Sequence, residues 1–190
     1  MIKNQNSKKE KIYEAVLLSV AQYGLNVPMS KIVSESGIST GVFYHYFSNK
    51  ESMISELYKK MKYDFLEATL SDINEDYKYY EQFGIIWINS VNYFIDNPNA
   101  LKLFKQFENA PHLVPQLENY HLEKINIFVK FIKDGIDKGI VKDLPLILLS
   151  DLTIGVSMQV AKNAISKTIV LDDDMKEKIL NACWDSIKTN

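Results

Sequence analysis

Fifteen consecutive residues gather most of the groups in this chain that could do chemistry: Gly37-Ile38-Ser39-Thr40-Gly41-Val42-Phe43-Tyr44-His45-Tyr46-Phe47-Ser48-Asn49-Lys50-Glu51. A core segment does not interleave hydroxyls, a histidine and a lysine so densely with aromatics. Nor do they form a catalytic pattern. The chain has no nucleophile-elbow serine, no His-Glu-x-x-His and no glycine-rich phosphate loop after a strand. What these types do well is meet DNA. Ser39 and Thr40 offer hydroxyls and helix-start N–H groups to phosphates or base edges. The Thr40 methyl or Val42 suits a thymine methyl. Tyr44, His45 and Tyr46 are flat rings with polar tips. Gly41 costs about 1 kcal/mol relative to alanine inside a helix, and in exchange its bare backbone can approach a partner closely. Lys50 is a phosphate ligand at a helix N-terminus that already favours anions. Phe43 and Phe47, four residues apart, are expected to turn inward.

Short helices must position these groups. Apolar residues Ile12, Ala15, Val16, Val20 and Tyr23 recur at spacings of three and four, predicting a first helix over 8–23 that ends at Gly24. Lys8, Lys9 and Lys11 then lie at its N-terminal end, against the helix dipole. Pro28 opens a second helix through Ser36, with Ile32 and Val33 inward and Ser30 and Lys31 outward; Gly37 ends it. Ser39 caps a third. Two short helices about a glycine turn make a helix-turn-helix. Asn49 caps a fourth, apolar-periodic for about 20 residues, and 71–78 reads as a turn.

The remaining chain also reads as helices: 79–95, apolar on most sides and so buried; a short one from Pro98 to about 108; a loop over 110–115; a long amphipathic helix over 116–138, punctuated by Gly135 and Gly139; an apolar one over 146–165; and a last one over 175–188 behind Asp172-Asp173-Asp174. The expectation is all-α, about nine helices. A helix-turn-helix head (residues 1–50) precedes a helical body (51–190).

Composition is that of a globular protein, with 46% hydrophobic residues, 24% charged residues and a net charge of −2 over 190 residues. The charge is uneven. Residues 1–50 hold six lysines against three glutamates, so a +3 head precedes a −5 body, which suggests a polyanion partner for the head alone. No apolar run reaches the roughly 18 residues of a membrane span, the N-terminus lacks a secretory apolar region, and the single Cys183 permits no internal disulfide. A cytoplasmic location without membrane attachment is expected. All 22 basic residues are lysine. Without arginine, the commonest bidentate contact to guanine is not available, and reading rests on lysine, hydroxyls, histidine and apolar contacts.

The run from Ser39 to Glu51 resembles the N-terminal signature of the TetR family of bacterial transcriptional regulators. The likeness extends over Lys11 to about Leu57, with Val20 where the family carries an aromatic and Val33 where it carries a small residue. It implies a homodimer whose heads enter successive major grooves of double-stranded DNA, and whose bodies bind a small-molecule effector. The DNA-binding residues would be Ser30, Lys31, Ser39, Thr40, Gly41, Val42, Tyr44, His45, Tyr46 and Lys50. Stripes on the last two helices (Leu146, Leu149, Thr153, Val156, Val160, Ile179, Cys183, Ile187) are expected at the dimer seam.

In the body, Tyr63, Trp87, Asn89, Tyr93, Phe104, Phe107, His121, Phe128 and Gln159 mix rings with polar groups. They suit an apolar effector pocket. His112 and His121 lie near Glu118 and Glu123, without the spacing of a metal site on a helix. No metal and no cofactor is expected. The leading expectation is a ligand-responsive DNA-binding regulator, a repressor, on a near-palindromic operator. The alternative is an architectural DNA-binding protein of the same fold with no effector, and an enzyme is a distant third.

Overall fold

A computed structural model describes residues 2–74, 76–110 and 123–189. Ten α-helices occupy them: α1 (Ile2–Tyr23), α2 (Met29–Ser36), α3 (Thr40–Tyr46), α4 (Lys50–Thr69), α5 (Tyr79–Asp96), α6 (Pro98–Glu108), α7 (Glu123–Asp137), α8 (Leu146–Ser150), α9 (Val156–Ile165) and α10 (Asp173–Ile187). A π-helical turn, Asp151–Gly155, joins α8 to α9 without a break. Counted as continuous runs these are nine, and the fold is all-α as the periodicity predicts. The one β feature among the described residues is an isolated bridge, Val141 to Lys188. The loop expected over 110–115 lies largely outside the described residues, as do the first seven residues of the long helix expected over 116–138.

The chain forms two compact units. The first holds residues up to Lys62 together with 99–120. In it, α1, α2 and α3 close over Ile12, Val16, Val20, Ile32, Phe43 and Phe47, all buried. Local chemistry sets the helix ends. Gly37 takes φ +66 behind α2, a left-handed conformation in which a Cβ is strained. Pro28 sits just before α2, with extended backbone, and not inside its first turn. The Asn49 side chain accepts from Ser52 N at 2.7 Å and so caps α4. One expectation is corrected: α1 begins at Ile2, so Lys8, Lys9 and Lys11 lie beyond its first turn and the dipole argument does not apply to them.

The second unit holds residues 63–98 and 121–190. Its centre is α5, whose Phe83, Ile86, Trp87, Val91 and Phe94 are buried and which packs chiefly on α9. The core runs through Trp87, Val91, Ile132, Leu149, Val160, Leu180, Cys183 and Ile187. At the start of α10 the Asp172 carboxylate accepts from Met175 N at 2.9 Å, offsetting an unpaired end donor.

Gly135 does not punctuate α7 but lies within it. The Tyr79 ring and hydroxyl occupy the space a Cβ there would need. Tyr79 stacks on Phe131, with centroids 4.3 Å apart, and its hydroxyl donates to Phe131 O at 3.0 Å. Alanine in a helix normally gains about 1 kcal/mol over glycine. Gly135→Ala is nevertheless expected to destabilise the protein by about 1–2 kcal/mol, because it costs this hydrogen bond and ring stacking. Urea denaturation measures it; a stabilised variant would mean that Tyr79 yields at no cost.

Candidate nucleic-acid interface

Helix α3 has one buried and one open face. Phe43 and Phe47 are 0% and 2% exposed. Their rings lie 5.4 Å apart, and Phe47 meets Tyr13 of α1 edge-on at 5.8 Å. The helix is thus pinned through the two aromatics that the spacing of four turns inward. On the other side Thr40, Gly41, Val42, Tyr44 and His45 are exposed, and Tyr46 is half-buried. Edge contacts of Tyr44 with Phe43 and of His45 with Tyr46 brace the outer rings. Ser39 occupies the N-cap position, but its hydroxyl makes no capping bond and remains at the surface. A Cβ built on Gly41 would meet nothing within 4 Å. The protein's own packing therefore does not require glycine there.

The neighbouring elements add to this face. Ser30 and Lys31 are exposed on α2, and Lys50 is half-buried at the start of α4. Lys31 is held by a small network that sequence spacing does not reveal. Its ammonium lies 3.6 Å from the centroid of the Tyr23 ring and 4.0 Å from a Glu35 oxygen. Tyr23 in turn donates to Glu35 at 3.0 Å, and Ser19 donates to the same carboxylate at 3.4 Å. A flexible lysine is thereby partly pre-ordered, which lowers the rotamer entropy given up on meeting a phosphate.

Of the nine residues expected to line an effector pocket, eight are described, and they fall in both units. Phe104 and Phe107 belong to the first unit, and the other described ones to the second. Trp87 is fully enclosed in the core. Gln159 is exposed and bonded to Asn163. Asn89 reaches Thr69 O and Asp72 near 3.5 Å. Tyr63 is exposed, Tyr93 packs edge-on against Phe65, and Phe128 packs on the core. His121 lies outside the described residues, as do His112 and Glu118. Two clefts among the described residues lie elsewhere. One of about 260 Å³ lies between Tyr79, Gln82, Lys130, Asp134 and Lys138, and one of about 360 Å³ between Ile132, Ile136, Asp143 and Leu144. No cluster of three metal-ligating side chains occurs among the described residues, and no described helix is long and apolar enough to cross a membrane.

The residues of the expected dimer stripe also serve the core of the single chain. Leu149, Thr153, Val160, Cys183 and Ile187 are buried within the single chain, and Val156 and Ile179 pack on the same core. A side chain already enclosed has little area left to bury against a second copy. Burial pushes the Cys183 thiol up to about 11, with the Trp87 indole acting weakly against it, so this sulfur is an inert core group. Outward-facing apolar residues in this region include Leu146, Ile147, Leu148 and Leu152, with Ile165, Val170 and Met175 further along.

A short helix with an aromatic inner face and an open outer face, second in a helix-turn-helix, defines a DNA-binding regulator. Residues 8–57 match the family described as "Bacterial regulatory proteins, tetR family", and residues 79–188 match "Tetracyclin repressor-like, C-terminal domain". The chain belongs to the TetR family of bacterial transcriptional regulators. It is 25% identical over 174 residues to an HTH-type transcriptional regulator of Haemophilus influenzae, covering 91% of this chain and 89% of that one. It is 23% identical over 184 residues to a fatty acid metabolism regulator protein of Bacillus subtilis, covering 95% and 88%. Its fold superposes on a TetR family transcription regulator from Marinobacter aquaeolei with a TM-score of 0.90, at 18% identity and full coverage of both chains.

Proposed function

We propose that this protein is a one-component, ligand-responsive repressor. It acts in the cytoplasm as a homodimer on a near-palindromic operator and is released by a small, largely apolar effector. The observation that carries the reading is the divided α3, with Phe43 and Phe47 buried and Thr40, Gly41, Tyr44 and His45 open. Residues 1–50 do the reading, with Ser30, Lys31, Ser39, Val42, Tyr46 and Lys50 completing the contact set, and 51–190 bind the effector and dimerise. The outward Leu146, Ile147, Leu148 and Leu152 supply an apolar seam. Two recognition helices about 34–36 Å apart then span one turn of B-DNA. The relative named for fatty acid metabolism supports an effector with an acyl chain.

Selection from random double-stranded DNA tests the reading, with an inverted repeat as the expected product. Enrichment of no sequence would overturn it, and operator binding indifferent to acyl ligands would favour the architectural alternative. Lys50→Ala is expected to weaken all sequences alike and to lower the salt slope of binding by about one unit. A loss confined to one base position would remove Lys50 from the phosphate contacts.

A further inference from the structure

Helix α1 supplies none of the DNA-contact set, yet its last residue reaches into that set. Tyr23 ends α1 and is 39% exposed. Its ring face lies 3.6 Å from the Lys31 ammonium, measured to the centroid. Its hydroxyl donates at 3.0 Å to Glu35, one turn beyond Lys31 on α2. The same carboxylate accepts at 3.4 Å from Ser19, which is buried. The ring is thus fixed twice, by the helix that bears it and by a carboxylate tied back to the core. Lys31 stands 4.0 Å from Glu35, the outer edge of an ion pair, so this carboxylate orients the ring more than it retains the lysine. The Lys31 side chain remains 44% exposed, which leaves the side of the ammonium away from the ring open to an anion. Arginine would bring its own rigid fork to a phosphate, whereas a lysine is a point charge on a flexible stem. This chain has no arginine, and the Tyr23 ring supplies from outside part of the geometry that lysine lacks.

We propose that Tyr23 is a positioning residue for DNA binding. It holds the Lys31 ammonium at the exposed face of α2 for a phosphate of the duplex, and the ring stays against the ammonium in the complex. Tyr23 acts through Lys31 and touches no DNA itself. A phosphate takes the ammonium from Glu35, whose contact with it is long, and leaves the ring contact in place. Glu35 keeps the Tyr23 and Ser19 hydroxyls throughout, so the ring does not move when the lysine changes anion. The proposal rests on the reading of α2 and α3 as the face that meets DNA, and it adds the end of α1 to the parts that set affinity there. The contact is independent of sequence, because a phosphate carries no base identity.

Fluorescence anisotropy on the full chain, with the selected operator and a random duplex as probes, tests it through a double-mutant cycle. Lys31→Met is expected to weaken both probes alike, as loss of a phosphate contact does. Tyr23→Leu is expected to weaken both about fivefold, the size of an exposed cation–π contact. Tyr23→Phe keeps the ring and is expected to stay within about twofold of the wild type. Added to Lys31→Met, Tyr23→Leu is expected to change affinity by less than about twofold, whereas added to Lys50→Ala it costs about fivefold again. Equal losses in the two backgrounds overturn the proposal, since a loosened head weakens every contact. Wild-type affinity in Tyr23→Leu or in Lys31→Met overturns it as well. A nuclear magnetic resonance measurement needs no variant and stands even if Tyr23→Leu fails to fold. The Lys31 ε-methylene protons, shifted upfield by the ring, are expected to keep that shift when the duplex is bound. Their return to the ordinary lysine position overturns the proposal. Gly41→Leu separates the two readings. Loss of binding in that variant, with no coupling between Tyr23 and Lys31, upholds the α3 interface and overturns the role of Tyr23. Wild-type binding by Gly41→Leu, with the coupling intact, does the reverse.

Discussion

Gly41→Leu is expected to abolish operator binding, by about 100-fold or more, while leaving the protein as stable as the wild type or slightly more so. The two halves have separate causes. A Cβ at this position meets nothing of the protein within 4 Å, and the residue is exposed, so a longer side chain can extend into solvent. Leucine also has the higher helix propensity, by just under about 1 kcal/mol. Against DNA the same side chain holds the α3 backbone several ångströms off the groove and strains or breaks the base contacts on both sides of it. A good base contact is worth about 1–3 kcal/mol, so breaking two of them reaches the stated magnitude. A gel shift on the selected operator reads the affinity and a thermal melt the stability. Wild-type affinity in this variant would show that the open face of α3 is not the face that meets DNA.

Trp87→Ala carries the largest expected drop in stability, about 3–5 kcal/mol. The indole is 0% exposed and packs among Phe83, Val91, Val160 and Cys183, so its removal forfeits transfer energy and leaves a cavity that rigid helices fill poorly. Domains of this size have a total stability of about 5–15 kcal/mol, and the second unit should unfold at a far lower urea concentration. Trp184, the other tryptophan in the chain, remains as the fluorescent reporter. A shift under about 1 kcal/mol would mean that the core repacks around the gap.

The fold is largely legible in the sequence because its signals are local. Helix periodicity, Gly37, Asn49 and Asp172 each act within a few residues, and turns and caps form where they stand. The inward Phe43 and Phe47 follow from a spacing of four. What escapes the sequence depends on contacts between distant segments. The bracing of Lys31 joins residues 19, 23 and 35. Gly135 reads as a helix stop until Tyr79, on another helix, is seen filling its empty side. The expected dimer stripe follows the α-helical period, whereas one line of buried residues here, Leu149, Thr153, Ser157 and Ala161, repeats every four. A repeat of four drifts about 40° per step around an α-helix.

The π-helical turn Asp151–Gly155 is what reconciles that repeat with one straight wall. A wider turn takes up the surplus rotation, so residues before and after it face the same core. The segment carries one residue more than an α-helix of its length needs. Its upstream and downstream halves are thus indexed to each other by that extra residue. Removing one residue from 151–155 would convert the segment to an ordinary α-helical turn, at about 100° per residue, and leave Leu146, Ile147 and Leu148 facing nearly the same way relative to α9. The outward direction of the apolar residues of α8 is thus held by the wider winding of the turn, which absorbs a residue that an α-helix would express as a rotation.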